Sequence, residues 1–246
     1  MMRCDIHSPN HMIRGEVGKR PLIVDIITRS SLYIKHVDSI QGSFANLALD
    51  MEISLEDDNN ILSLVRKFTP YYNESEYITP NSSEDIKKIV KLTYDVFWKS
   101  ELNAMSKSEN YMLIKQNVRL EKYLYTVKNQ HHKIALSRLR MSCHPLMIEK
   151  GRHFRPPLER ADRKCPFCKD HIEDECHFLI TCPLYQDERK DLLDYIRTTV
   201  PMFDSIPTDR QKATFFFINE NDTVISKLAQ YTFKGLKKRA DFIEST

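Results

Sequence analysis

Glycine is scarce, with five in 246 residues, at positions 15, 18, 42, 151 and 235. That excludes a glycine-rich phosphate loop and argues against a hairpin-dense all-β fold, because both need several positions at positive φ. The closest approach to a nucleotide loop is Gly15-Glu16-Val17-Gly18-Lys19-Arg20. It has two residues between its glycines where a P-loop has four, and Arg20 stands where Ser or Thr is required. Long apolar runs are also missing, and none approaches the roughly 20 residues of a membrane span. The first residues lack the charged-then-apolar order of a signal peptide. The expectation is an intracellular chain, nuclear or cytoplasmic and not secreted, with the sequons at Asn73, Asn81 and Asn221 coincidental. No paired-carboxylate or Cys–His constellation suggests catalysis, and Asp57-Asp58 sits in a polar stretch beside Asn59-Asn60.

What is present is an ordinary globular composition, 41% hydrophobic and 29% charged, enough for one or two domains with a core. Apolar periodicity predicts helices. One follows Pro21, with Leu22, Ile23, Ile26, Ile27, Tyr33, Ile34 and Val37 on its stripe. A second follows Pro80, with Ser82 as its cap, Asp85 three residues on, and Ile86, Ile89, Val90 and Phe97 inward. Two more are expected over roughly 110–126 and 129–142, before Pro145, Pro156 and Pro157 enforce an extended connection. Pro183 suits the first turn of a helix carrying Leu184, Leu192, Tyr195 and Ile196. A last helix begins near Asp222 and ends in Lys237-Lys238-Arg239. Strand signals are confined to the cysteine region and Thr214–Ile218.

The net charge of +3 conceals an uneven distribution. Residues 1–110 hold 13 Lys/Arg against 16 Asp/Glu, residues 111–170 hold 14 against 5, and residues 171–246 hold 10 against 13. A block of +9 between two mildly acidic ones is an electrostatic footprint for phosphates. Lys115, Arg119 and Lys122 recur in it at helical spacing, Lys133, Arg138 and Arg140 more loosely. Tyr111, Tyr123, Tyr125 and Phe154 are interleaved and could stack on bases. A solvated helix surface is the plainer reading of such a block. Its position favours the functional one, because it runs straight into a cysteine cluster.

Four of the six cysteines fall within 18 residues: Cys165, Cys168, Cys176 and Cys182. Read as Cys165-x2-Cys168-x8-His177-x4-Cys182, the segment is a site for one zinc ion, filled by four protein ligands and therefore structural. The competing set replaces His177 with Cys176. Adjacent residues of an extended segment face opposite ways, so one of them alone can face the metal. His177 is preferred, because His-x4-Cys is the spacing of nucleic-acid-binding zinc knuckles, whose middle loop is shorter. His171, close behind Cys168, reads as a loop residue, and Cys4 and Cys143 as isolated thiols.

Three stretches resemble the C-terminal portion of polyproteins from LINE-type (non-LTR) retrotransposons, downstream of the reverse transcriptase active site. Near the N-terminus, Asn10-His-Met-Ile-Arg-Gly15-Glu-Val-Gly18-Lys-Arg-Pro21-Leu22 is similar to the Gly-Glu-x-Gly-x-x-Pro-Leu segment behind the polymerase palm. The centre matches through Leu136-Ser-Arg-Leu-Arg140-Met-Ser-Cys-His144, Ile148-Glu-Lys-Gly151-Arg, Cys165-Pro-Phe-Cys168 and Ile172-Glu-Asp-Glu175-Cys-His177-Phe-Leu-Ile-Thr-Cys182-Pro-Leu-Tyr185. Asn219-Glu-Asn-Asp222 and Lys234-Gly-Leu-Lys-Lys-Arg239 are similar to the family's closing helix. The likeness is thin over residues 40–110. It implies a zinc module that binds template RNA or target DNA, with Cys165, Cys168, His177 and Cys182 as its ligands. The family's Tyr-x-Asp-Asp palm motif is absent from the sequence. The resemblance therefore implies a tail or fragment without polymerase or endonuclease activity.

The expected protein is mainly α, with helical segments plus one small zinc-knuckle module carrying a short hairpin. Its expected segments are a thumb-like helical part (1–109), a basic helical connector (110–163), the zinc module with its following helix (164–198) and a C-terminal helical part (199–246). Arg138, Arg140, Arg152, Arg155, Arg163 and Lys164 are the expected phosphate contacts, on RNA or DNA with weak sequence preference. Other retrotransposon-encoded chains are candidate partners. The rival expectation is a structural or protein-interaction remnant in which zinc only staples the fold.

Overall fold

The structure, a computed structural model, describes residues 9–54 and 82–245, with the side chains of 52 and 53 left aside. It is mainly helical. In chain order the helices are α1 (Asn10–Val17), α2 (Leu22–Ser39), α3 (Phe44–Ser54), α4 (Ser83–Ala104), α5 (Glu109–Ile114), α6 (Tyr123–Thr126), α7 (Gln130–Arg140), α8 (Met147–Lys150), α9 (Gln186–Thr199), α10 (Asp209–Ile218) and α11 (Asp222–Glu244). No helix among the described residues is long and apolar enough to cross a membrane.

Two compact units emerge: Gly18–Ala104, and Met1–Val17 together with Met105–Thr246. The smaller unit therefore interrupts the larger one in sequence. Residues from Tyr123 to Tyr231 share one hydrophobic core, which runs across the expected segment boundaries at 164 and 199.

In the smaller unit, α2 packs on α3 and α4. The inner row of α4 is Ile86, Val90, Tyr94, Trp98 and Leu102, one residue every four, all buried. The helix starts where the sequence predicts. Asp85 N–H donates to Ser82 Oγ at 3.1 Å, and the Ser82 hydroxyl donates to Asp85 Oδ2 at 2.7 Å. Arg20 grips Asp95 with both arms, at 3.0 and 2.7 Å.

In the larger unit, α11 is the central element, touching α6, α7, α9 and α10. Its buried face runs Val224, Ile225, Leu228, Ala229, Tyr231, Thr232, Gly235 and Arg239. Gly235 is needed there because a Cβ would lie 2.9 Å from the Phe178 ring. Side-chain caps start two of the helices, with Asn129 accepting from His131 and His132 N–H, and Asn221 from Thr223 and Val224 N–H.

Three local expectations are corrected. The helix expected over 110–126 stops at Ile114 and resumes for one turn at Tyr123. The cause is Lys115, whose buried ammonium bonds Arg119 O at 2.7 Å and the Glu121 carboxylate, so the chain must turn back around it. The run Thr214–Ile218 is the end of α10 rather than a strand. Thr208 caps that helix through Gln211 N–H at 3.2 Å, and burial of Phe216 on a helical face outweighs the β-propensity of the aromatic run. The hairpin of the cysteine module shrinks to one antiparallel bridge among the described residues, Lys164 with Ile172. Cys165 N–H to His171 O at 2.8 Å and Glu173 N–H to Arg163 O at 2.9 Å flank it.

Candidate metal centre

The Cys-Pro-Phe-Cys turn follows the bridge directly. Lys169 N–H bonds Cys165 O at 2.9 Å, and Lys169 itself adopts φ 62 to close the turn. The chain returns through Ile172 and enters a helical stretch at Glu175, which widens into a π-turn over His177–Thr181. Cys182 N–H bonds His177 O at 2.9 Å, five residues back. The His-x4-Cys spacing is thus one wide helical turn, which brings its two ends to the same side. Cys176 and His177 are helical neighbours rather than members of an extended segment, but the roughly 100° between adjacent helical residues separates them equally well.

Cys165, His177 and Cys182 are buried, and their ligand atoms lie within 4.8 Å of one another. The Cys165 and Cys182 sulfurs are 3.8 Å apart, and Cys168 Sγ is 3.4 Å from His177 Nε2. A tetrahedral site with metal–sulfur bonds of about 2.3 Å has sulfur–sulfur edges of roughly 3.8 Å. The four side chains the sequence nominates therefore form a cluster that could hold a metal ion. His177 Nδ1 meets Thr181 Oγ1 at 2.9 Å, which turns Nε2 toward the thiols. Burial pulls His177 toward neutrality, but Cys165 and Cys168 outweigh it and raise its pKa. The bond to the Cys182 sulfur, aided by burial, pushes the Cys165 thiol up to about 12 while lowering Cys182. A bound cation would favour the deprotonated form of both thiols.

Cys176 points elsewhere, into the neighbourhood of Asn110, Arg210 and Ala213. Burial and the carboxylates of Asp174 and Asp209 push its thiol up to about 12, so it stays protonated and inert. His171 is a loop residue, as expected, but it also lies beside the cluster. Its exposed ring stacks on His177 at 5.3 Å and 12°, and its ligand atom groups with those of Cys168 and His177.

Sequence reasoning also missed the supports. Asp174 Oδ1 accepts His177 N–H at 2.8 Å, capping the turn. At its other end the buried Arg189 guanidinium donates to Ile180 O and Cys182 O. Glu173 is buried and bound by both arms of Arg239 at 2.7 Å, while it accepts Met147 N–H at 2.6 Å. The closing basic run of α11 therefore contributes an internal clamp on the cysteine module. A glutamate beside a cysteine cluster and an arginine 66 residues later carry no local signal of pairing.

The six nominated phosphate contacts divide. Arg138, Arg155 and Lys164 are exposed and make no ion pair among the described residues. Arg140 is corrected to a core residue. It is 3% exposed, bonds Glu16 Oε2 and Glu121 Oε2 at 2.9 Å each, donates to Phe217 O at 2.7 Å, and lies 5.2 Å over the Tyr123 ring. A phosphate could reach it only by breaking two buried ion pairs. Arg163 is likewise committed, to Leu158 O and Ile148 O, and Arg152 to Glu149 and Ser106. Among the neighbouring cations, Lys115 pairs with Glu121, Arg119 with Glu220 and Lys122 with Asp222. Of the four aromatics, Tyr111 and Tyr123 are buried, leaving Tyr125 and Phe154 exposed at 56% and 40%. Comparison of the chain with protein-family models, curated proteins and solved structures gives no match.

Proposed function

We propose that the cluster holds one structural zinc ion and that the larger unit is a zinc-stapled module for binding RNA or DNA, without polymerase or endonuclease activity of its own. Three sulfurs and one imidazole suit zinc, and four protein ligands leave no open position for catalysis. The observation that carries the reading is the cluster of Cys165, Cys168, His177 and Cys182 at the end of a +9 segment in which Arg138, Arg155 and Lys164 are exposed. The likeness to the tail of a non-LTR retrotransposon polyprotein points the same way. On that reading the module acts beside other chains of the element.

A purely structural reading has its own specific support. Half of the nominated cations stabilise the fold internally, and every such pairing reduces the charge available to a phosphate. Fluorescence anisotropy with labelled single-stranded RNA, single-stranded DNA and duplex DNA separates the two. Three phosphate contacts give a log–log salt slope of about −2 to −3, so affinity should fall roughly 20- to 40-fold between 50 and 200 mM salt. Changing Arg138, Arg155 and Lys164 together to Gln should flatten that slope by about two units and weaken all sequences alike. Affinity that ignores salt, or an unchanged triple variant, leaves zinc as a staple and the basic face as solvated surface.

A further inference from the structure

The segment between Ile148 and Arg163 is tied at its base by backbone and arginine hydrogen bonds. Leu158 N–H bonds Gly151 O at 2.9 Å, closing its base. Arg163 then clamps both sides of that base, donating to Leu158 O at 3.0 and 2.8 Å and to Ile148 O at 3.0 Å. Gly151 makes room for the clamp, since a Cβ there would fall 2.7 Å from Arg163 Cγ. Arg152 pins the same root to Ser106, at 2.9 Å to Oγ and 3.2 Å to the carbonyl. Beyond this root, His153, Phe154, Arg155, Pro156 and Pro157 are all exposed. Two prolines restrict the backbone of that tip further.

A rigid base therefore holds out a half-exposed phenylalanine that no other ring covers among the described residues. Leaving such a ring in water forfeits burial energy, which a loop fixed this firmly could have recovered by folding inward. Residues 150–158 contain Lys150, Arg152 and Arg155 and no acidic residue, and of the flanking Glu149 and Glu159 the first is buried and bonds Arg152. An aromatic face beside free cations on a preorganised loop is the combination that binds unpaired nucleotides, by stacking on a base and neutralising the neighbouring phosphates. A duplex keeps its bases stacked away from such a ring, and an acidic peptide offers it no π-face.

We propose that the Lys150–Leu158 loop is a single-strand-binding tip, in which Phe154 stacks on an unpaired base and Lys150 and Arg155 contact the adjacent phosphates. Arg163 and Gly151 are positioning residues that hold the tip. The proposal rests on the nucleic-acid reading above and names the substrate class within it as single-stranded RNA or DNA.

The test uses the full, metal-loaded chain carrying Phe154→Trp. The sole native tryptophan, Trp98, is buried, so the parent chain gives its background emission and the difference between the two chains reports on the tip. Oligo(U) and oligo(dT) of roughly 12 nucleotides should quench it, with their relative affinities giving the RNA or DNA preference, whereas duplex DNA should not. Phe154→Ala should weaken single-strand binding about 5- to 150-fold and leave duplex binding within about twofold. If both oligonucleotides bind with a normal salt slope but the introduced indole is not quenched and the alanine variant binds as the parent does, the tip proposal is wrong and the broader reading stands. If the parent chain binds no oligonucleotide, or prefers polyglutamate, both fall together.

Discussion

Cys182→Ala is expected to remove both the metal ion and the cooperative fold of the larger unit. Cys182 is fully buried in the shared core, 3.8 Å from the Cys165 sulfur, and its carbonyl is held by Arg189. A structural zinc contributes on the order of 10–16 kcal/mol to small zinc-dependent folds, as much as a whole domain's typical net stability. Loss of one ligand should therefore appear as a broad, low-temperature melt of the helical circular-dichroism signal, and chelation of the parent chain should reproduce it. Cys176→Ala is the matched control. That thiol lies outside the ligand cluster, so the variant should keep its zinc and lose only about 1 kcal/mol, as for a partly buried side chain. His177→Ala should behave like Cys182→Ala. Metal retained by His177→Ala and lost by Cys176→Ala would assign the fourth ligand to the wrong residue.

Arg140→Ala is expected to have the second largest effect. Its guanidinium joins α7 to Glu16 of α1 and to Glu121 of the following segment. Burial disfavours the cation, but the two glutamates outweigh burial and hold it charged. Truncation would strand Glu16, which is fully buried, without a counter-charge and leave Glu121 with Lys115 alone. Breaking one side of a buried ion pair costs roughly 3–5 kcal/mol. Urea unfolding should show that loss, while Arg138→Ala, on the exposed side of the same helix, should stay within about 0.5 kcal/mol. Equal midpoints for the two variants would contradict the buried network. The comparison also matters for binding studies, because a variant neutralising both arginines would mix a surface contact with a folding defect.

These two residues illustrate what the sequence makes legible. Helix starts are readable because their causes are local: Ser82 with Asp85, Asn129 before α7, and Asn221 before α11 each satisfy N–H groups within three residues. The cysteine cluster is readable for the same reason, since its four side chains come from two short turns. The fate of the basic block is not. Whether Arg138 or Arg140 meets solvent depends on Glu16, which is 124 residues from Arg140, and helical spacing alone holds no record of that partner. The break after Ile114 is hidden similarly, because Lys115 reads as a surface cation until Glu121 folds over it. That His171 lies in a loop is readable, but its stacking on His177 is not, because it depends on the return path of the chain rather than on spacing.

The central claim is that one zinc ion, held by Cys165, Cys168, His177 and Cys182, staples the helical core. Zinc K-edge X-ray absorption on the purified chain, with metal content measured on the same sample, tests it most directly. The expected result is one zinc per chain, with three sulfurs at about 2.3 Å and one nitrogen at about 2.0 Å. Two sulfurs and two nitrogens would bring His171 into the shell in place of a cysteine, and a folded chain without metal would remove the staple altogether; either result contradicts the account.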